Sequence, residues 1–213
     1  MIAEGQKDRP DVKWQVNVID DSKTVNAFAT PGGFLYVYRG LLDTAQNDAE
    51  LAGVMAHETG HVVARHAARG LVAAYGLDAV SALASGANPG LLTQLSSTIG
   101  AKGLLLVHSR ADETEADEYG AGYASQAGYD PHALISFFQR LEQSEGQTPR
   151  LLVYLSDHPA TSDRMEHLRK FIADNHLESS NLGADSYATL RQHLEKLPPS
   201  PSPPPASGSQ PAQ

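Results

Sequence analysis

His57-Glu58-Thr59-Gly60-His61 sets two imidazoles four residues apart with a carboxylate beside the first. On a helix, residues i and i+4 share one face, about one turn apart. Two imidazoles so spaced can hold one ion at the Zn–N distance of about 2.0–2.1 Å. Glu58 lies about 100° around the helix from His57, so it reaches a water on that ion without ligating the ion. The chemistry on offer is metal-assisted hydrolysis. The ion lowers the pKa of its water to about 7, and the carboxylate takes the proton. Gly60 adds a hint. Glycine inside a helix costs about 1 kcal/mol relative to alanine, so close packing against another element near the metal is expected.

A catalytic zinc takes a third protein ligand and keeps a fourth position open. The chain has no cysteine, which excludes thiolate sites and disulfides and leaves histidine or carboxylate. Glu113 and Asp117 stand at i and i+4, on one face. Either can ligate while the other accepts a proton from a ligand histidine. Glu115 faces away from that pair, and the remaining acids of 112–118 read as a solvated first turn favoured by the helix dipole. His66 follows His61 by five residues, about 140° around a continuous helix, and is expected to point elsewhere as a satisfied or surface histidine.

These residues need a scaffold. Val12, Trp14, Val16 and Val18 alternate with polar residues, the pattern of a half-buried strand. Asn26 to Ala29 forms a second extended piece, Pro31-Gly32-Gly33 a turn, and Phe34 to Tyr38 a third strand. Asn47 with Glu50 makes a capping box for a helix carrying the histidines to about Arg69. Short helices are expected over 71–101, with a break at Asn88-Pro89-Gly90 and a possible role as a lid. Ser109 caps the helix of the acids, and Asp130-Pro131 opens another that Gly146 stops. Two more span Ser162 to Asn175 and Asp185 to Leu197. The expected fold is α+β, mainly helical and zincin-like, with a small antiparallel sheet near the N-terminus. Residues 1–197 form one domain, and the Pro/Ser-rich stretch 198–213 cannot bury apolar area and is expected to be disordered.

With 213 residues the chain can bury a core. A formal net charge of -9 argues against nucleic acid and anionic membrane as main partners. Met1 to Arg9 hold no apolar run, so no signal segment is expected in this sequence. Ala79 to Ala101 is the longest uncharged stretch and long enough to span a membrane, but its serines, threonines and Asn88-Pro89 argue for a non-spanning segment.

Several motifs occur together in order: Asn26-Ala-Phe-Ala-Thr-Pro-Gly-Gly-Phe34, His57-Glu-Thr-Gly-His61, Ser109-Arg110, Glu113-Thr-Glu-Ala-Asp117, His158-Pro159 and Arg164. Over residues 11–175 the chain resembles the HtpX-like zinc metallopeptidases, which include CAAX prenyl proteases and quality-control peptidases. The resemblance implies Glu113 as third zinc ligand and Asp117 as its outer partner. It also implies that His158 approaches the zinc, as a fourth ligand at rest or as a donor to the oxyanion. Arg164 is expected either to polarise the substrate or anchor an acidic partner, or to form a structural ion pair. Polypeptide substrate is expected to bind in extended form along the sheet edge at Gly33, Phe34, Leu35 and Tyr36. The implied activity is a zinc endopeptidase for unfolded or misassembled proteins, with one zinc per chain. A competing reading is a latent, His158-capped chaperone or binding module. The likeness to periplasmic members implies the cell envelope rather than the cytoplasm, with outer-membrane assembly as a possible association.

Overall fold

The computed structural model describes residues 1–84, 108–143, 152–159 and 161–196. Its elements are α1 (Ile2–Asp8), β1 (Gln15–Ile19), β2 (Ala27–Thr30), β3 (Phe34–Tyr38), α2 (Arg39–Thr44), α3 (Asp48–Val63), α4 (His66–Tyr75) and α5 (Leu77–Ala84). After these come α6 (Arg110–Gln126), α7 (Ala133–Gln143), α8 (Leu152–Asp157), α9 (Ser162–Asp174) and α10 (Ala184–Lys196). The expected α+β class holds: helices dominate, with one small sheet near the N-terminus.

α3 is the central element. Asn47 caps it by accepting the Glu50 N–H at 2.9 Å. The second half of the expected capping box is missing, because the Glu50 carboxylate turns to the Gln46 N–H at 2.8 Å and to Arg140. From Ala52 to Val62 every residue is buried. Burial on all sides is what a helix of small and apolar residues at the centre of a fold requires. α6 packs along it, started by a full capping box between Ser109 and Asp112. Two glycines allow the close approach. A Cβ on Gly60 would lie 2.8 Å from Tyr119 Cβ and 3.0 Å from the Ala116 carbonyl, and one on Gly120 3.2 Å from His57 Cα. Gly60→Ala is therefore expected to destabilise by about 1–3 kcal/mol through overpacking, despite a helix propensity gain of about 1 kcal/mol. Denaturant unfolding of the metal-free protein reads this, and a more stable variant would show the two helices can part freely.

The sheet order is β1-β3-β2, with β2 antiparallel and β1 parallel to β3. It is thus mixed rather than antiparallel throughout. The tight turn at residues 31–33 pairs β2 with one side of β3, and β1 takes the other side with its direction set by the loop over 20–26. The apolar residues of β1 depart from expectation. Val16 and Val18 are 45% and 58% exposed, although their partners Leu35 and Val37 are buried. As an edge strand, β1 overhangs the helices that cover the centre of the sheet.

The expected continuous helix to Arg69 breaks at Arg65, whose φ of 59° is left-handed. α7 begins at Ala133, two residues past Pro131, because Asp130 and Pro131 form a turn in which the Asp130 carboxylate accepts the His132 N–H. The Asn88-Pro89-Gly90 break, the Gly146 stop and the 198–213 tail lie outside the described residues. Among the described residues no helix is long and apolar enough to cross a membrane.

Candidate metal centre

Three of the site's side chains come from one buried stretch of α3: His57, Glu58 and His61 are 0%, 1% and 4% exposed. The two Nε2 atoms face each other at 3.0 Å. α6 presents buried Glu113, with Oε2 3.5 Å from His57 Nε2 and Oε1 3.4 Å from His61 Nε2. Directly after α8, His158 places Nδ1 3.3 Å from His57 Nε2 and 3.2 Å from Glu113 Oε1. Asn26 holds that end of α8 against the sheet by donating to Asp157 Oδ2 at 3.0 Å. One donor atom from each of His57, His61, Glu113 and His158 lies within 4.8 Å of the others. A tetrahedral ion with ligands at about 2.0–2.1 Å separates its donors by about 3.3–3.4 Å. The nitrogen and oxygen donors, their burial and their separations therefore fit zinc.

A second layer sets the orientation. His57 Nδ1 lies 3.0 Å from Asp117 Oδ1. Asp117 accepts from Arg164 Nε at 2.7 Å and Nη2 at 2.8 Å. Arg164 Nη1 also reaches Glu113 Oε2 at 2.7 Å and donates to the Pro159 carbonyl at 2.8 Å. One planar guanidinium thus clamps both acids and the segment bearing His158, which a lysine's point charge cannot do. Of the roles expected for Arg164, the structural ion pair is the one its buried position serves. A carboxylate behind a ligand histidine fixes its tautomer and raises its basicity.

The charges follow from these contacts. Burial lowers His57, but Asp117 and Glu113 outweigh it and push its imidazole up to about 9. Burial works to raise Glu113, and the combined contacts with His158, His57 and His61 hold it far below the usual carboxylate range. Asp117 is lowered in the same way, with His57 and Arg164 overcoming burial. His61 is pushed well down by burial. Glu58 goes the other way: burial raises its carboxyl, with His158 and His57 opposing. Its Oε1 is buried without a hydrogen-bond partner among the described residues, 3.4 Å from His158 Nε2. An ionisable acceptor with a raised pKa and no hydrogen-bond partner among the described residues suits a general base working near neutral pH.

Gly33, Phe34, Leu35 and Tyr36 do not form a sheet edge. β3 is the central strand, so its backbone groups are taken by β1 and β2 on either side. Leu35 lies in the core and Gly33 is buried, while Phe34 is exposed and Tyr36 half-buried. The edge beside the site is β2. A cleft of about 230 Å³ opens there, lined by Ala29, Thr30, Gly32, His61, Arg65 and His108.

Three residues of the site escaped the sequence. His66 turns its Nδ1 to 2.7 Å from His61 Nδ1. His108 stacks on the His61 ring, centroids 3.9 Å apart. Tyr154 sits 4.9 Å from the His158 ring, its hydroxyl buried without a hydrogen-bond partner among the described residues. For His108 the position directly before the Ser109 cap was the available signal. For His66 there was none, because nothing local marks Arg65 as left-handed.

Comparison with known proteins agrees with this geometry. Residues 2–172 match peptidase family M48. The mitochondrial metalloendopeptidase OMA1 of Schizosaccharomyces pombe is 36% identical over 187 residues, covering 87% of this chain and 55% of that protein. The metalloprotease LoiP of Escherichia coli is 37% identical over 153 residues, 70% of this chain and 59% of that protein. The putative beta-barrel assembly-enhancing protease of Vibrio cholerae is 32% identical over 158 residues, 70% of this chain and 32% of that protein. The chain spans about half the length of the first two relatives. A match over most of its length, joined to relatives at this identity, makes the assignment plain: this chain belongs to peptidase family M48.

Proposed function

We propose that this chain is a zinc-dependent endopeptidase acting on unfolded or misassembled polypeptides. His57, His61 and Glu113 are its metal ligands, Asp117 and Arg164 their support, and Glu58 its general base. The reading is carried by one observation: four buried donors within 4.8 Å of one another, beside a Glu58 oxygen with no hydrogen-bond partner among the described residues. A bound zinc supplies Lewis acidity toward water and the scissile carbonyl. Glu58 accepts the proton of the attacking water at Oε1 and returns it to the leaving amine. His158 Nε2, 3.4 Å from Glu58 Oε1, is the donor for the developing oxyanion.

Substrate lies extended along β2. The Tyr38 N–H donates to the Asn26 carbonyl at 3.0 Å. By the two-residue period of the ladder, Ala27 and Ala29 then turn their backbone groups away from β3. The Ala27 N–H is taken by Asn26 Oδ1 at 2.9 Å, which leaves Ala29 to pair with a peptide. Backbone pairing tolerates many sequences and suits a protein quality-control enzyme. One relative's name ties it to beta-barrel assembly, which supports a cell-envelope, periplasmic setting and an outer-membrane association for this chain. The second reading, a latent state capped by His158, draws on the 3.3 Å approach of His158 Nδ1 to His57 Nε2.

The test is zinc quantification with a casein-like unfolded substrate. One zinc per chain is expected, with cleavage abolished by a chelator and restored by zinc. Full cleavage by the stripped protein would overturn the proposal. Glu113→Gln is expected to weaken zinc binding by more than the 10–100-fold that outer partners cost. Unchanged zinc content in that variant would move the third ligand elsewhere.

A further inference from the structure

His66 lies outside the donor set yet buried, at 2% exposure, in contact with His61. The break at Arg65 puts it there by starting a new helix at His66. Its Nδ1 is 2.7 Å from His61 Nδ1, and its Nε2 is 3.1 Å from Glu115 Oε2 and 3.5 Å from Asp112 Oδ1. Both acids also meet Arg69 Nη2, each at 2.8 Å. His66, Asp112 and Glu115 have metal-capable spacing. Arg69 already answers the acids, however, so the cluster is a hydrogen-bond chain rather than a second ion site.

A neutral imidazole has one donor and one acceptor nitrogen. Facing carboxylates, His66 Nε2 must carry the hydrogen, which leaves Nδ1 as an acceptor. The 2.7 Å contact then requires His61 to donate from Nδ1, so His61 Nε2 bears a lone pair. The other ligand histidine, His57, has Asp117 Oδ1 itself 3.0 Å from its Nδ1. We infer that His66 is a positioning residue, relaying Glu115 to His61 so that His61 presents an unprotonated Nε2 to the metal. The two ligand histidines are thus oriented differently, one by a carboxylate and the other by a carboxylate acting through a second imidazole.

This inference rests on the zinc reading above, and its test separates the two. Zinc dissociation constants are measured by chelator competition on the full chain for wild type, His66→Leu and His66→Asn, with unfolding of each metal-free protein as control. Leucine fills the space without an acceptor, whereas asparagine sets its amide oxygen where Nδ1 stood. His66→Leu should bind zinc 10–100-fold more weakly, and His66→Asn should recover to within a few-fold of wild type. A His66→Leu protein that folds and binds zinc like wild type overturns the relay. If that variant fails to fold, nitrogen-15 NMR of metal-free wild type decides, since the relay requires the Nδ1–H tautomer at His61 and the Nε2–H tautomer sinks it. Wild type that binds no zinc, while showing the Nδ1–H tautomer, would defeat the peptidase reading and leave the hydrogen-bond chain standing.

Discussion

Glu58→Gln is expected to lower turnover of an unfolded substrate by about 10²–10⁴-fold, the usual contribution of a general acid–base group. Zinc content and fold should stay as in wild type. Glutamine matches glutamate in size, so the buried position beside His158 remains filled. It cannot accept and return a proton, which is the one property removed. Glu58 is also outside the set of donors that converge within 4.8 Å, so metal affinity has no reason to fall. The kcat term should carry the loss, with KM little changed, because the carboxylate acts in the transition state. Turnover within a few-fold of wild type would exclude Glu58 as the base. Loss of zinc together with activity would instead place it among the ligands.

Arg164→Met is the substitution with the largest expected effect on stability. Methionine keeps the stem but removes the guanidinium that holds buried Asp117 and Glu113. Stranding a charge inside a protein costs about 3–5 kcal/mol. For a domain of this size each kcal/mol lowers Tm by about 2–4 °C, so the metal-free variant should melt about 6–20 °C lower. The pH dependence gives a sharper check. In wild type both carboxyls sit below their ordinary values, so their contribution is fully present above the ordinary carboxylate range and is lost only as pH falls below that range toward the lowered values. Without Arg164, Asp117 keeps only His57 against its burial, so its carboxyl rises and protonation relieves the strain. The deficit relative to wild type should therefore be larger at about pH 8 than at about pH 5. Arg164→Lys should rescue only in part, since an ammonium cannot span two carboxylates and a carbonyl at once. A variant as stable as wild type at both pH values would show that the clamp contributes nothing.

The residues that meet at the site were legible in the sequence where the chemistry is local. His57 and His61 are one helical turn apart, and so are Glu113 and Asp117, so each pair faces one way whatever surrounds it. The helix caps at Asn47 and Ser109 were legible for the same reason, as was the packing role of Gly60. What required the tertiary structure is everything set by distant segments or by one backbone angle. Arg65 adopts a left-handed conformation that no neighbouring residue announces, and that single angle turns His66 from a bystander into a partner of His61. Strand pairing is likewise a contest between segments far apart in sequence. Alternation told where strands lie, but only the pairing put β3 in the middle, left Val16 and Val18 exposed and gave the cleft its β2 edge. Helical periodicity is a property of a short stretch of chain, whereas sheet order and the closure of a metal site are decided by which distant surfaces bury one another.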